Sequence, residues 1–304
     1  MNETAAVILC CAVCLGLVWY YREKSKRQYR QIECMLDEIL NERPVSQSDL
    51  EEGEIAELSH KARRIQEKLN LEVQSARKEK EQVKSLISNM SHQLKTPLSN
   101  VMMYQEILES SSLEEEQRKK FLEKLKTQSE KIDWILQSLF KMVNLENGVI
   151  RVQPEEKNIK ATLSRALSGV YEKAQRRNIK ITTEEFPDST LYHDPRWTAE
   201  VLGNLLENAV KYTDPGGRIV VRLVPYELYS KLEIIDNGRG IAKEELSCIF
   251  QRFYRSNDVR NLEGSGIGLY LSRLILEKEK GYLTVESEYG RGSCFQVFLQ
   301  NCKN

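Results

Sequence analysis

The chain has 304 residues, which is enough for two modest domains and some connecting helix. Its 45 basic residues balance 45 acidic ones, which is unlike a dedicated nucleic-acid-binding protein, because such a protein normally carries a basic face. The seven cysteines lack the spacing of a disulfide framework or a zinc site, a pattern typical of a reducing compartment.

The first predicted element is an apolar helix at the N-terminus. Residues 5–21 form a run of 17 residues without a charge, the short end of what spans a bilayer. Glu3 precedes this run, and five basic residues follow it: Arg22, Lys24, Lys26, Arg27 and Arg30. A cleaved signal peptide has the opposite order of charge. The pattern therefore predicts a transmembrane anchor over 1–22, with the N-terminus outside and the rest of the chain in the cytoplasm. A buried or interfacial apolar helix is the alternative.

The segment 23–80 is charged and mostly helical in pattern, with interruptions near Pro44 and Gly53. Residues 52–58 (EGEIAEL), before a second amphipathic stretch, resemble the second half of a HAMP signal-relay module, and a plain helical stalk is the alternative interpretation. About four residues precede the apolar run, so we expect no extracellular sensor domain. A regulating signal is expected to reach the chain through the membrane, from a partner membrane sensor or transporter, or through this linker.

A heptad pattern occupies residues 81–148. Mostly apolar positions alternate in steps of four and three along two segments, namely Val83, Ile87, Met90, Leu94, Pro97, Val101, Tyr104 and Leu108, then Phe121, Leu125, Gln128, Ile132, Ile135, Leu139 and Met142. This pattern predicts an antiparallel helical hairpin. Because one hairpin cannot bury both seams well, we expect two chains to pair into a four-helix bundle, which makes the protein a homodimer.

His92 lies at heptad position f of the first hairpin helix, which is the outward face. An exposed imidazole is mostly uncharged and nucleophilic at neutral pH. Pro97 cannot donate to the carbonyl of Gln93, so we expect the helix to bend one turn past His92. Taken alone, this pattern is that of an ordinary surface histidine beside a kink.

From Ile150 onward, strand and helix patterns alternate. Strands are predicted at 179–183, 219–224, 232–235, 282–285 and 294–299, and helices at about 158–176, 196–212 and 266–278. These elements predict an α/β sandwich over 149–304 as a separate domain. The fold class is therefore a multidomain chain of α and α/β parts.

Three motifs in this domain are typical of a nucleotide site. Asn204, Asn208 and Lys211 share one helix face, where amide oxygens suit Mg²⁺ and the ammonium group suits phosphate. Asp236 ends an apolar strand, and its carboxylate can accept a hydrogen bond from the adenine amino group. Two groups of glycines allow close approach of a flat ligand and phosphate binding at a helix N-terminus: Gly238 and Gly240, and Gly264, Gly266 and Gly268.

Five segments together resemble the H, N, G1, F and G2 boxes of two-component sensor histidine kinases. They are SHQLKTPL (91–98), NLLENAVKYT (204–213), DNGRGI (236–241), FQRFYR (250–255) and GSGIGL (264–269). The resemblance spans roughly residues 81–300 in the order of the family. It implies a dimerising hairpin with a phosphoacceptor histidine and a Bergerat-type ATP-binding domain. It also implies ATP and Mg²⁺ as cofactors and a phosphorelay to an aspartate of a response regulator.

Carried over by position, the resemblance implies a role for each matching residue. His92 would be the autophosphorylated residue, and Asn208 would bind Mg²⁺. Thr96 stands where the family often places a polar residue that positions water to dephosphorylate the regulator. Asp236 would bind adenine, and further nucleotide contacts would come from Asn204, Lys211, Tyr212, Gly238, Gly240, Ile241, Gly264, Gly266, Gly268 and Leu269. A mobile lid over ATP would include Phe250, Phe253 and Arg255.

Gln93 departs from the pattern of the family. Most members with this H box carry Glu or Asp directly after the histidine, thought to act as the base in phosphoryl transfer. General-base assistance is typically worth about 10²–10⁴-fold, so we expect a slower kinase. Activity is still expected, because phosphoryl transfer depends chiefly on positioning and charge stabilisation, and the Gln93 amide could orient the imidazole. The balance between kinase and phosphatase stays open.

Two other functions are compatible with these motifs. ATPases of the same nucleotide fold, as in the Hsp90 and gyrase families, carry a water-activating glutamate where this chain has Asn204. Glu207 lies on the same helix but one residue before Asn208, so it is a poor substitute and the kinase is favoured. An ATP-binding membrane scaffold without catalysis is the third hypothesis, and Gln93 is the feature that favours it.

Overall fold

The computed structural model describes residues 2–41, 43, 54–109, 113–259 and 264–302. The chain divides into two units, Met1–Ser85 and Leu86–Asn304. The helices are α1 (Asn2–Leu40), α2 (Glu54–Glu109), α3 (Glu115–Glu146), α4 (Ile159–Arg176), α5 (Pro195–Tyr212) and α6 (Gly268–Lys278). The strands are β1 (Glu155–Asn158), β2 (Lys180–Thr183), β3 (Thr190–His193), β4 (Arg218–Pro225), β5 (Tyr229–Asp236), β6 (Tyr282–Glu288) and β7 (Gly292–Asn301).

The first unit contains α1 and the first part of α2, and these two helices run parallel. Ser59 Oγ donates to Met35 Sδ at 3.5 Å, and Gln66 Nε2 donates to the Arg43 carbonyl at 2.5 Å. The residue numbers of the partners rise together, which is the signature of a parallel pair. Met35 and Gln66 are the buried residues at this contact. Whether the linker is a true HAMP module stays a prediction.

The apolar run 5–21 lies within α1. Within the described part of the chain, no helix has the length and apolar character needed to cross a membrane. The side chains of residues 1–7, 9 and 10 lie outside the described residues, and they include part of that run. The anchor over 1–22 therefore stays a prediction.

The second unit begins with the predicted antiparallel hairpin. Asn100 Nδ2 donates to Gln128 Oε1 at 3.4 Å, and the ring centroids of Tyr104 and Phe121 lie 5.9 Å apart. As the residue numbers of the contacting residues rise along α2, those of their partners on α3 fall, so the two helices are antiparallel. α2 continues through the buried Pro97, so the proline does not end the helix.

The second half of α3 belongs to the core of the α/β domain. Ile135, Leu139, Met142 and Leu145 are at most 5% exposed and share one apolar cluster with α5 and α6. Lys141 Nζ lies 2.7 Å from Glu200 Oε1 on α5. The first half of α3 thus belongs to the hairpin, and its second half belongs to the core of the α/β domain.

The α/β domain is a seven-stranded sheet with the order β1-β3-β7-β5-β4-β2, and β6 pairs with β7. β2 and β4 are parallel, and the other pairs are antiparallel. The five predicted strands and three predicted helices of this domain are confirmed. β1 and β3 were not predicted, because β1 (EEKN) has no apolar residue and is exposed at all four positions, and β3 (TLYH) has a single buried aliphatic side chain.

Local signals explain where α5 begins and which face it buries. Asp194 is the N-cap, and its Oδ1 accepts from the amides of Arg196 at 3.0 Å and Trp197 at 3.3 Å. Pro195 occupies the first helical position, where its missing amide hydrogen costs nothing. The apolar face of the helix is fully buried through Leu202, Leu205 and Leu206. The opposite face is left free to form a site.

Candidate nucleotide and phosphoacceptor sites

A cavity of about 950 Å³ lies between α5, the end of β5, the glycine segments and α3. Its volume is in the usual range for a small-molecule site. Twelve of the predicted nucleotide-binding residues line it: Asn204, Asn208, Lys211, Tyr212, Asp236, Gly240, Ile241, Arg255, Gly264, Gly266, Gly268 and Leu269. The fold therefore brings all three nucleotide motifs together. Gly238 and Phe253 are not among the lining residues.

Asp236 is held at the end of β5 by two backbone amides. Its Oδ1 accepts from Gly238 N at 2.9 Å and from Ser293 N at 3.3 Å. Burial raises the pKa of the Asp236 carboxyl, and the two amide hydrogen bonds act in the opposite direction. These bonds fix the side chain, and among the described residues nothing donates to Oδ2. That oxygen is thus available to a ligand in the cavity.

Position 238 requires a glycine because the neighbouring backbone leaves no room for a side chain. A Cβ at this position would lie 2.3 Å from the carbonyl oxygen of Tyr212, at the end of α5. The close approach is needed because the amide of Arg239 donates to that same oxygen at 3.2 Å. Gly238 therefore joins β5 to α5, and its contact with a nucleotide stays a prediction.

Phe253 likewise supports the site from outside the cavity. Its φ is +61°, a strained value for a residue with a side chain, and its amide donates to the Gly266 carbonyl at 2.9 Å. A Cβ on Gly266 would lie 2.6 Å from the carbonyl carbon of Phe253. The contact holds the F-box segment against the third glycine motif. Contact of Phe253 with the nucleotide and its membership of a mobile lid stay predictions.

The two asparagines of α5 have different surroundings. Asn204 Nδ2 donates to the Gly268 carbonyl at 3.1 Å and to Ser272 Oγ at 3.4 Å, so it ties α5 to the first turn of α6. Asn208 is half-buried against the cavity, and its amide has no hydrogen-bond partner within the described ranges. Asn208 is thus the asparagine whose whole side-chain amide, nitrogen and oxygen, is left for a ligand. Lys211 Nζ lies 2.9 Å from the Tyr212 hydroxyl.

Several cavity-lining residues were missed by the sequence analysis. They are Lys131 and Trp134 of α3, Arg177 after α4, Tyr254 in the F box, and Tyr289 between β6 and β7. Tyr254 lies within a motif and could have been found there. The other four come from elements far apart in the chain, and no local spacing marks them.

The predicted phosphoacceptor lies apart from this cavity. His92 and Thr96 are exposed on one face of α2, as the heptad position predicted for His92, and Gln93 is half-buried. None of the three lines the cavity. In this arrangement the acceptor and the nucleotide motifs are two separate sites in one chain.

Comparison with known proteins identifies both domains. Residues 82–148 match the His Kinase A (phospho-acceptor) domain, and residues 193–302 match the histidine kinase-, DNA gyrase B- and HSP90-like ATPase family. Sensor protein SrrB of Staphylococcus aureus strain N315 is 30% identical over 219 residues, which is 71% of this chain and 38% of SrrB. The chain therefore spans well under half the length of the curated relatives that it matches.

Solved structures show the same fold. Histidine kinase ThkA, solved in complex with response regulator protein TrrA, superposes with a TM-score of 0.61 and 18% identity, over 76% of this chain and 66% of ThkA. Full-length ShkA in complex with AMPPNP gives a TM-score of 0.55 and 21% identity, over 72% of this chain and 47% of ShkA. With the phosphoacceptor and ATPase domains in this order, the chain belongs to the two-component sensor histidine kinases.

Proposed function

We propose that this chain is an ATP-dependent protein-histidine kinase. It transfers the γ-phosphoryl group of ATP to His92 and then to an aspartate of a response regulator, and it also dephosphorylates that regulator. The observation that supports this best is an exposed histidine followed, in one chain, by a cavity where three nucleotide motifs converge. ThkA, a kinase of this fold, has been solved with a response regulator, and ShkA with the ATP analogue AMPPNP.

The residues of the cavity fit ATP with Mg²⁺. The free Oδ2 of Asp236 suits the adenine amino group, and the ammonium group of Lys211 suits phosphate. The partner-free amide of Asn208 suits a hard cation that is already bound by phosphates, because Mg²⁺ prefers oxygen ligands and takes few from protein. When bound, the ion would neutralise charge on the phosphates.

The chemistry at His92 is a direct displacement. The lone pair of an imidazole nitrogen attacks the γ-phosphorus, the P–N bond forms, and the bond to the ADP oxygen breaks. The imidazole proton leaves to solvent, because the Gln93 amide cannot accept it. Since His92 does not line the cavity, the ATP-binding domain of the same chain or of a second copy must approach it.

The experiment is incubation of the full chain with γ-labelled ATP and Mg²⁺. We expect acid-labile, base-stable label on the wild type and none on His92→Gln. His60→Gln is the matched control, because His60 is also exposed and helical but lies outside every motif, and it should label normally. Phosphate release without protein label would support an ATPase instead. Absence of both would support the scaffold and overturn the proposal.

We propose that the chain acts as a homodimer through the hairpin. Several large apolar side chains of the hairpin are between 46% and 67% exposed in a single chain, namely Ile87, Leu98, Met102, Leu122, Leu136 and Phe140. A four-helix bundle with a second copy would bury them, as such bundles do. The heptad seam is the second support, because Val83 and Ile87 belong to it and are exposed.

We propose further that residues 1–22 anchor the chain in the cell membrane, with the N-terminus outside and the catalytic domains in the cytoplasm. The support is the uncharged run 5–21 and the five basic residues after it. The signal would come through this anchor, from a partner membrane sensor or transporter, or through the linker. Alkaline extraction of membranes tests the anchor: release of the full chain into the wash would contradict it.

A further inference from the structure

The last turn of α5 ends without a glycine cap, yet each of its carbonyl groups has a partner. The Ala209 carbonyl accepts from Thr213 N at 3.0 Å, and the Tyr212 carbonyl accepts from Arg239 N at 3.2 Å. The carbonyls of Val210 and Lys211 both accept from one atom, Arg177 Nη1, at 2.6 and 2.7 Å. A side chain from another helix thus replaces the backbone cap that usually satisfies a helix end.

Arg177 is well placed for this task. It is the C-cap residue of α4, and its own carbonyl accepts from Gly216 N in the turn that follows α5, at 3.3 Å. Its guanidinium is half-buried and meets the negative end of the α5 dipole, where a cation is favourable. One residue therefore joins the end of α4, the end of α5 and the turn beyond it.

The residues at this helix end are the ones that face the cavity. Lys211 and Tyr212 both line it, and their side chains contact each other at 2.9 Å. Asp236 is held independently, by the amides of Gly238 and Ser293. Loss of the Arg177 hydrogen bonds would free the last turn of α5 and leave the Asp236 hydrogen bonds in place.

We infer that Arg177 is a positioning residue for nucleotide binding: it holds the last turn of α5 so that Lys211 meets the phosphates of ATP. This inference rests on the proposed function, because it assumes ATP in this cavity. The inference makes different predictions for the phosphates and for the adenine of ATP. The phosphates depend on Arg177 through Lys211, and the adenine depends on Asp236, which Arg177 does not contact.

The test measures binding of ATP with Mg²⁺ and of adenosine to the full chain, by competition with a fluorescent ATP analogue. For Arg177→Met we expect about tenfold weaker ATP binding, the size of one charge-assisted hydrogen bond, and less than about twofold change for adenosine. Arg177→Lys keeps a cationic donor and should recover part of the loss. It also serves as the test variant, with a smaller ATP-specific loss, if Arg177→Met does not fold.

Arg165→Met is the matched control. It removes the same charge from α4, but Arg165 is exposed, does not line the cavity and, among the described residues, makes no hydrogen bond to an α5 carbonyl. We expect its ATP affinity to stay within about twofold of wild type, as for loss of an exposed surface charge. Equal losses of ATP and adenosine in Arg177→Met, or equal effects of the two arginines, would overturn the inference. Failure of the wild type to bind ATP would contradict the proposed function itself.

Discussion

The two domains use histidine in opposite ways. His92 of the hairpin is exposed on α2. His193 of the α/β domain is fully buried, with Thr162 Oγ1 2.8 Å from Nε2 and the Leu191 carbonyl 3.0 Å from Nδ1. Burial lowers the pKa of His193, so that side chain is kept neutral as part of the core. The hairpin thus leaves its histidine open to another molecule, and the α/β domain fixes its own histidine by burial.

α3 shows both behaviours on one helix. Met142 is fully buried in the α/β core, and Phe140, two residues earlier on another face, is 67% exposed. In a single chain the first side chain contributes to stability, and the second contributes almost nothing. If the hairpin pairs with a second copy, that difference has a purpose, because an exposed Phe is costly to solubility unless a partner covers it.

The largest effect is expected from substitutions that test the difference between Met142 and Phe140 on α3. Met142→Ala should lower the free energy of unfolding by about 2–5 kcal/mol, because it removes a fully buried side chain and leaves a cavity. Phe140→Ala should change the unfolding free energy of the monomer by less than about 0.5 kcal/mol and weaken self-association. Urea unfolding at low protein concentration and sedimentation velocity measure the two effects. A large monomer destabilisation by Phe140→Ala would show that Phe140 is a core residue.

The next prediction concerns Glu279, a buried residue of the α/β domain. It is fully buried after α6, where it accepts from Thr198 Oγ1 at 2.9 Å and from Asp194 N at 3.0 Å. Burial raises its pKa from 4.5 to about 7, against the opposing effect of these hydrogen bonds. The folded protein therefore binds this proton more tightly than the unfolded chain does. Its contribution to stability is complete below about pH 4.5 and is lost as the pH rises to about 7.

Glu279→Gln should remove that pH dependence, because the amide stays neutral and its oxygen still accepts both hydrogen bonds. Relative to the variant, the wild type should lose about 3 kcal/mol of unfolding free energy between pH 4.5 and pH 7.5. Comparison with the variant is needed because the lowered pKa of His193 gives the opposite slope at acidic pH. Glu277→Gln, at an exposed carboxylate paired with Arg273, is the control. If the difference in unfolding free energy between wild type and Glu279→Gln did not change with pH, the prediction would be contradicted.

The same contrast explains what could be foreseen from the sequence. The hairpin and the motif residues were predictable, because heptad spacing and glycine-rich turns are local patterns. Arg177 was not, because it reaches α5 from another helix and the chain between them carries no matching signal. Gly238 and Phe253 also lie in motifs, and the structure shows them joining neighbouring elements without lining the cavity. A motif marks which segments meet, and only the fold decides which members of each segment face the ligand.

The smallest expected effect concerns Gln93, which is half-buried beside His92 on the hairpin. Gln93→Glu introduces a carboxylate that can accept the imidazole proton, so we expect His92 to be labelled about tenfold faster, below the usual range for general-base assistance because a flexible helical neighbour is imperfectly aligned. Thermal unfolding should be unchanged, since the substitution is nearly isosteric. Initial rates of labelling at saturating ATP measure the effect, and Gln105→Glu, an exposed glutamine on α2 away from His92, is the control. An unchanged rate would show that proton removal at this position does not limit transfer.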